Sequence, residues 1–353
     1  MSHTRSTPAE TIDVPARHRF DADALSRYMQ QHVDDFVPPL RVRQFAGGVS
    51  NPTYLVETAA RRYVLRKKPA GELQASAHAV DREYRVMTAL GRTDVPVART
   101  YCLCEDDAVI GQAFYIMEYV AGRVIRDPAI PGATPAERTA IYRSLAETQA
   151  RLHRVDHMAI GLADYGRPGN YFQRQIARWS RQYEDAKTRD VPELARLKEW
   201  LLARIPAREE SAISHGDFRI ENMIMHPVEP RVVAILDWEL STIGHPLADL
   251  GSSVAFYYLA PGTPTGFRAP IDLAAAGIIG VDEFVSEYCR HRGLDGIPNF
   301  NFFLIFALFR LASSMAGIAK RAATGIASSP DAERWGDYIE PTAEVAWRLA
   351  QAE

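Results

Sequence analysis

The sequence predicts an α+β protein in two lobes, a β-rich N-lobe and a mainly helical C-lobe, and three observations carry that prediction. Residues 41 to 66 alternate in short apolar runs around a glycine pair, which is the period-two patterning of strands. Residues 134 to 153 open on a capping box and continue with apolar positions at helical spacing. One further β-rich patch, at 223–237, interrupts an otherwise helical second half.

The bulk composition sets the frame for these patterns. A chain of 353 residues exceeds one small module and suits two lobes. Hydrophobic residues at 47% and charged residues at 24% are ordinary for a packed globular protein and argue against disorder. A net charge of -3 gives no basic footprint, so no nucleic-acid partner is expected. The three cysteines, Cys102, Cys104 and Cys289, lack the second ligand pair of a structural zinc site and read as reduced thiols in a cytoplasmic protein.

Taken in order, residues 1–37 read as a loose leader and an N-terminal helix, with Arg5, Glu10 and Asp13 among Ser, Thr and Pro and no apolar run fit for a signal peptide. Tyr54 and Val56 then share one side of a strand, and Val64 and Arg66 one side of the next. His78 to Leu90 carries Val80, Tyr84, Met87 and Leu90 at helical spacing, with Gly91 as the stop. Val109-Ile110 and Phe114 to Tyr119 read as another strand pair, ended by Ala121-Gly122. The N-lobe is therefore set at 38–120 and the C-lobe at 121–353.

In the C-lobe, Thr134-Pro-Ala-Glu137 opens a helix with Ile141, Leu145, Thr148 and Leu152 on one face, ending near His153. Further helices fit Tyr171 to Lys187 and Glu193 to Ala203, before strands at Met223 to His226 and Val232 to Asp237. The most apolar run, Phe302 to Phe309, is interrupted by Arg310 and reads as a buried helix too short to cross a bilayer, so no membrane partner is expected. This order of elements is the layout of a protein-kinase-like fold.

The stretch His215-Gly-Asp-Phe-Arg-Ile-Glu-Asn222 holds His-x-Asp-x-x-x-x-Asn, a pattern expected by chance in about 4% of chains this long. A short apolar strand after it delivers Asp237 in Leu236-Asp-Trp-Glu239. Phosphoryl transfer explains the set, because the reaction needs a positioned nucleophile and neutralised charge rather than a covalent intermediate. Asp217 is the candidate base, and Asn222 and Asp237 are the candidate Mg²⁺ ligands, since that ion prefers hard oxygens. His215 is assigned to bracing the loop and Asp249 to holding it from the next helix. His153 reads as a hydrogen-bonded core residue, and Trp179, Trp200 and Trp238 as packing anchors.

Upstream candidates follow in the order this chemistry needs. In Phe45-Ala-Gly-Gly-Val-Ser-Asn51, Gly47 and Gly48 leave room for backbone N–H groups of the loop, through Ser50 and Asn51, to approach phosphates. Arg66 on the strand beyond it can pair with Glu83 on the following helix and hold the α- and β-phosphates. Lys68 shares the strand parity of Arg66 and rivals it, whereas Lys67 points the other way. Backbone at Glu118 and Val120, at the end of Tyr115-Ile-Met-Glu-Tyr-Val120, can meet an adenine.

Through the glycine loop, Arg66, Glu83, Ile116-Met-Glu-Tyr119 and the two catalytic segments, the chain resembles the aminoglycoside phosphotransferase and choline kinase superfamily over roughly residues 38 to 320. More narrowly, Tyr63-Val-Leu-Arg-Lys-Lys-Pro69, Ser214-His-Gly-Asp-Phe-Arg-Ile220, Leu236-Asp-Trp-Glu-Leu-Ser-Thr242 and Lys320-Arg-Ala-Ala-Thr-Gly-Ile-Ala-Ser328 look like the kinase domain joined to acyl-CoA dehydrogenases 10 and 11. The resemblance implies an ATP- and Mg²⁺-dependent kinase acting on a hydroxyacyl-CoA, particularly a 4-hydroxyacyl-CoA, with any acyl-CoA dehydrogenase partner on a separate chain. Two departures stand out. His245, in Gly244-His-Pro246, replaces the common Asp of Gly-Asp-Pro, and Trp238-Glu239 replaces the Phe-Gly of protein kinases.

Three other readings compete. A non-catalytic nucleotide- or acyl-CoA-binding regulatory module would usually have lost the base or a metal ligand, and here Asp217, Asn222 and Asp237 are all present. A metallohydrolase built on His215, Asp217, Asp237 and His245 lacks a further ligand cluster. An aminoglycoside, amino-alcohol or sugar phosphotransferase keeps the chemistry and changes the acceptor. A polycationic acceptor needs an acidic pocket, and the helical lobe mixes acids with bases such as Arg174, Arg178 and Arg181.

Overall fold

The computed structural model describes residues 10–46, 51–69, 80–167, 169–324 and 332–353. The first part of the chain forms β1 (Thr11–Ile12), α1 (Ala22–His32), β2 (Arg41–Phe45), β3 (Thr53–Glu57), β4 (Arg62–Lys67), α2 (Val80–Leu90), β5 (Thr100–Cys104), α3 (Asp107–Ile110), β6 (Phe114–Glu118) and β7 (Arg123–Val124). There follow α4 (Pro135–Arg154), α5 (Tyr171–Ala186), α6 (Pro192–Leu202), β8 (Ala212–Ser214), β9 (Met223–Met225), β10 (Val232–Ile235) and β11 (Thr242–Gly244). The remainder is α7 (Pro246–Val254), α8 (Leu273–Ala276), α9 (Val281–Arg292), α10 (Phe300–Ala323) and α11 (Ile339–Gln351). A β-rich N-terminal region and a helical C-terminal region make up the expected kinase-like α+β fold.

Two compact units divide the chain: residues up to Val124 together with Asn222–Glu239, and Ile125–Glu221 together with Leu240–Glu353. The first unit is built on an antiparallel sheet in the order β1-β2-β3-β4-β6-β5. Strand alternation sends Tyr54, Val56, Tyr63, Leu65, Phe114 and Ile116 to one face, where Leu25, Met29, Val33 and Phe36 cover them. Each such side chain contributes about 1.5–3 kcal/mol on burial. Asp21 starts the covering helix by accepting the N–H groups of Asp23 and Ala24. The opposite face carries Arg66 and Tyr115, which stand directly across from one another on β4 and β6.

Two sequence expectations are corrected in this unit. Val109-Ile110 is not a strand: Asp106 caps a short helix through the Ala108 N–H, and Gly111 closes it in left-handed backbone. The strand beside β6 is Thr100–Cys104 instead. The supposed loose leader also contains structure, because Thr11 and Ile12 pair with Phe45 and Gln44 and satisfy the open edge of β2.

The hairpin of β9 and β10, expected within the C-lobe, groups with the first unit. Arg123 and Val124 pair with Met225 and Ile224, and the Ile235 N–H donates to the Pro96 carbonyl at 2.9 Å. All three cysteines are free and buried. Burial pushes the Cys102 thiol up to about 12 and raises Cys289 as well.

In the second unit Thr134 accepts the Glu137 N–H at 3.2 Å, with Pro135 in the first turn of α4, as the capping box predicts. The apolar core is organised by α10, which packs on α5, α6, α7 and α11. Arg310 does not end this helix, which runs for 24 residues and is long and apolar enough to span a bilayer by length and composition. Its length therefore does not exclude a span. What marks it as a core helix is burial of Phe302, Phe303, Phe306, Leu308, Phe309 and their neighbours inside the protein. Where α7 crosses it, a Cβ on Gly251 would stand 2.5 Å from the Phe303 carbonyl oxygen, so only glycine permits this approach.

Candidate active site

Register and helix phase together build a charged cluster in the first unit. Arg66 leaves β4 on the face that carries Glu83 of α2, and its Nε lies 2.7 Å from Glu83 Oε2. Its Nη2 reaches Asp237 Oδ1 at 2.8 Å, with Glu239 3.8 Å away. Glu83 is held from two other directions: Asn51 donates its amide to Oε1 at 2.9 Å and Tyr115 its hydroxyl to Oε2 at 3.0 Å. Burial works against the Arg66 charge, but Glu83, with Asp237 and Glu239, keeps it protonated and above its ordinary range. Lys67 is buried on the opposite face, 5.5 Å over the Phe20 ring, while the rival Lys68 follows the end of β4 with its N–H on the Ala113 carbonyl at 2.9 Å.

Asp237 sits in left-handed backbone with φ +64. A non-glycine residue there stores about 1–3 kcal/mol of strain, tolerated where the surroundings fix it. Here β10 fixes it from before, and the Leu236 N–H bonds the Asn222 carbonyl at 2.8 Å. Asn222 is buried and Asp237 about one-third exposed. A carboxylate and an amide oxygen from these tied segments are the hard donors Mg²⁺ takes, few enough for it to keep water and phosphate ligands. Among the described residues, no three His, Cys, Asp or Glu side chains group as a metal cage, so the metallohydrolase reading lacks its ligand set.

Gly47, Gly48 and Ser50 lie outside the described residues. Of the proposed phosphate loop, Asn51 is placed, and it is buried against Glu83. Glu118 ends β6 with its side chain exposed, and its backbone N–H is already donated to the Arg99 carbonyl at 2.8 Å. An adenine at this segment would therefore not find that N–H available.

In the second unit β8 pairs with β11, and the loop that begins at His215 leaves the end of β8. Asp249, fully buried on α7, accepts the His215 N–H at 2.9 Å and the Gly216 N–H at 2.8 Å. Its Oδ2 also lies 3.2 Å from His153 Nε2, and His153 Nδ1 is 2.8 Å from the Tyr288 hydroxyl. Burial alone would raise the Asp249 carboxyl; the bonds and charges of His153 and His215 outweigh it and hold it far below the usual range. The ring of His215, itself buried, accepts the Asp217 N–H at 3.2 Å. Asp217 is about one-third exposed.

His245 takes over what an aspartate would do at the start of α7. Its ring accepts the Leu247 N–H at 3.2 Å and stacks on Phe303, so the helix that presents Asp249 stays capped. Burial lowers its pKa to about 4, which keeps it neutral.

Sequence reasoning missed three participants. Arg219 Nε pairs with Asp217 Oδ2 at 3.1 Å and its Nη1 lies 3.7 Å from Glu221. Tyr115 stands on β6 directly across from Arg66 on β4, a register that the sequence alone does not fix. Arg310, noted only for interrupting an apolar run, donates to the Gly216 carbonyl. A lone charge inside a buried helix was the clue.

Comparison with known proteins gives the family and the fold. Residues 41–288 match the phosphotransferase enzyme family, APH. Acyl-CoA dehydrogenase family member 10 of Mus musculus is 42% identical over 334 residues, covering 94% of this chain and 31% of that protein. The chain spans less than half the length of the curated relatives it matches. A Ralstonia eutropha protein described as an aminoglycoside phosphotransferase superposes with TM-score 0.86 at 48% identity, covering 95% of this chain and 99% of that one. The hygromycin-bound, AMP-PNP-bound aminoglycoside phosphotransferase APH(4)-Ia shares the fold at TM-score 0.59 and 14% identity, covering 93% and 99%.

Proposed function

The chain belongs to the phosphotransferase enzyme family, and from that premise we propose that it is an ATP-dependent kinase that phosphorylates the hydroxyl group of a hydroxyacyl-CoA. The observation that carries the kinase reading is Arg66 held between Glu83 and Asp237, a cation fixed beside a candidate metal ligand. The finer acceptor rests on the likeness to acyl-CoA dehydrogenase family member 10, together with the cationic α5. On that helix Arg174 is half-buried and Arg178 exposed, which suits an anionic acceptor better than a polycationic one.

In this mechanism Asp217 accepts a hydrogen bond from the acceptor hydroxyl and takes its proton as the oxygen bonds the γ-phosphorus. The bond from that phosphorus to the β,γ-bridging oxygen breaks, and the diphosphate leaves. Arg66 neutralises the α- and β-phosphates, and Asn51 and Tyr115 keep Glu83 turned toward it. Asn222 and Asp237 would hold Mg²⁺, which when bound neutralises charge on the phosphate oxygens. Asp249 and His215 hold the loop so that Asp217 need not reorganise during the reaction. The buried thiols suit a reducing, cytoplasmic setting, where an acyl-CoA dehydrogenase would act on the product.

The test is ATP consumption with Mg²⁺ across 4-hydroxyacyl-CoA, 3-hydroxyacyl-CoA, choline, simple sugars and aminoglycosides, with Asp217→Asn as control. Turnover confined to a hydroxyacyl-CoA is the expected result. Turnover with aminoglycosides or choline instead would move the acceptor assignment, and failure to bind nucleotide would remove the kinase reading.

A further inference from the structure

Arg310 is a charged residue within the buried helix α10, flanked by Phe309 and Leu311. Its guanidinium is only partly buried, and three contacts fix it. Nη2 donates to the Gly216 carbonyl, Nη1 lies 3.4 Å from Ser252 Oγ of α7, and Cζ stands 5.5 Å over the Trp179 ring of α5. The Gly216 carbonyl is one end of the peptide bond that leads into Asp217. The other end, the Asp217 N–H, is accepted by His215 Nδ1 at 3.2 Å. Gly216 is in left-handed backbone with φ +83, and a Cβ there would meet the Leu240 carbonyl oxygen at 2.7 Å.

A peptide in this conformation can rotate about its flanking bonds unless both polar ends are held, and glycine resists rotation least. We propose that Arg310 is a positioning residue of the catalytic loop: it fixes the Gly216–Asp217 peptide plane and thereby the direction of the Asp217 carboxylate. The inference rests on Asp217 being the base. Asp249 cannot substitute for it, because its carboxylate can only accept and is already bonded to the N–H groups of His215 and Gly216. The fork of Arg310 supplies the donor this carbonyl needs, and Trp179 holds the plane of that fork.

The experiment compares wild type, Arg310→Met and Arg310→Lys in three arms: phosphoryl transfer, affinity for Mg²⁺–AMP-PNP, and amide hydrogen exchange of a peptide covering 214–219. In Arg310→Met, kcat should fall about ten- to a hundredfold, the range for a slightly misplaced catalytic group. Nucleotide affinity should stay within about twofold, loop exchange should quicken, and added guanidinium should restore part of kcat. Arg310→Lys, which keeps the charge and loses the fork, should fall between the two and serves if the Met variant does not fold. Unchanged loop exchange, or a kcat close to wild type, would overturn the proposal. If wild type binds nucleotide but transfers phosphate to none of the acceptors, the acceptor assignment fails and exchange alone decides whether Arg310 holds the loop.

Discussion

Arg66 Nη2 meets Asp237 Oδ1 at 2.8 Å although 171 residues of sequence separate them. Strand β4 and the turn after β10 are thus joined through one guanidinium, which also serves Glu83. Removing that cation in Arg66→Met leaves Glu83, about 1% exposed, as an uncompensated buried carboxylate. A cost of about 3–5 kcal/mol is expected from breaking such a pair. Urea denaturation should show it, together with weaker nucleotide binding. Arg66→Lys should recover charge but not the two-sided geometry, and a variant as stable as wild type would contradict the pairing.

Asp217 and Asp237 should separate by kinetic signature. Asp217→Asn is expected to lower turnover about a hundred- to ten-thousandfold with nucleotide affinity largely kept, because a positioned base acts in the transition state. Asp237→Ala should weaken binding of Mg²⁺–nucleotide itself. Titration calorimetry beside steady-state kinetics distinguishes them, and near-normal turnover in Asp217→Asn would remove the base assignment.

His245 predicts a pH dependence of stability. Its folded pKa of about 4 lies below the ordinary histidine value of 6.5, so the unfolded chain binds the proton more readily. The stabilisation is complete above about pH 6.5 and is lost as pH falls toward 4, by roughly 3 kcal/mol in total. His245→Asn keeps a side-chain acceptor for the Leu247 N–H and has nothing to titrate. Melting temperatures between pH 7 and 4.5 should therefore fall less steeply in that variant, and equal slopes would reject the assignment.

Gly251→Ala tests the crossing of α7 on α10. The added methyl would press on the Phe303 backbone at 2.5 Å, where no flexible side chain can yield. Destabilisation of about 1–3 kcal/mol is expected, despite the better helix propensity of alanine. A variant more stable than wild type in a thermal melt would show that the helices can part without cost.

Local chemistry made much of this molecule legible in the sequence. The Thr134 capping box, the strand alternation at Tyr54 and Val56, and the spacing from His215 to Asn222 each act over a few residues, so each reads directly. The pairing of Arg66 with Glu83 followed from strand parity and order. What escaped depends on contacts distant in sequence. Val109-Ile110 carries β-branched residues but is governed by its caps, Asp106 and Gly111, and β1 forms only because β2 offers an edge. Arg310 and Tyr115 acquire partners through tertiary packing, and nothing in their immediate neighbours names Gly216 or Glu83.

The three buried thiols make the protein a clean chemical canvas. Thiolate is the reactive species, and a Cys102 thiol pushed up to about 12 offers almost none near neutrality, while Cys104 and Cys289 are shielded by burial. A single cysteine introduced at an exposed position, such as Val228 in the turn between β9 and β10, would be the one fast-reacting thiol on the native chain. A fluorophore placed there needs no prior removal of native cysteines, so nucleotide and acceptor titrations can be followed optically on an otherwise unaltered protein.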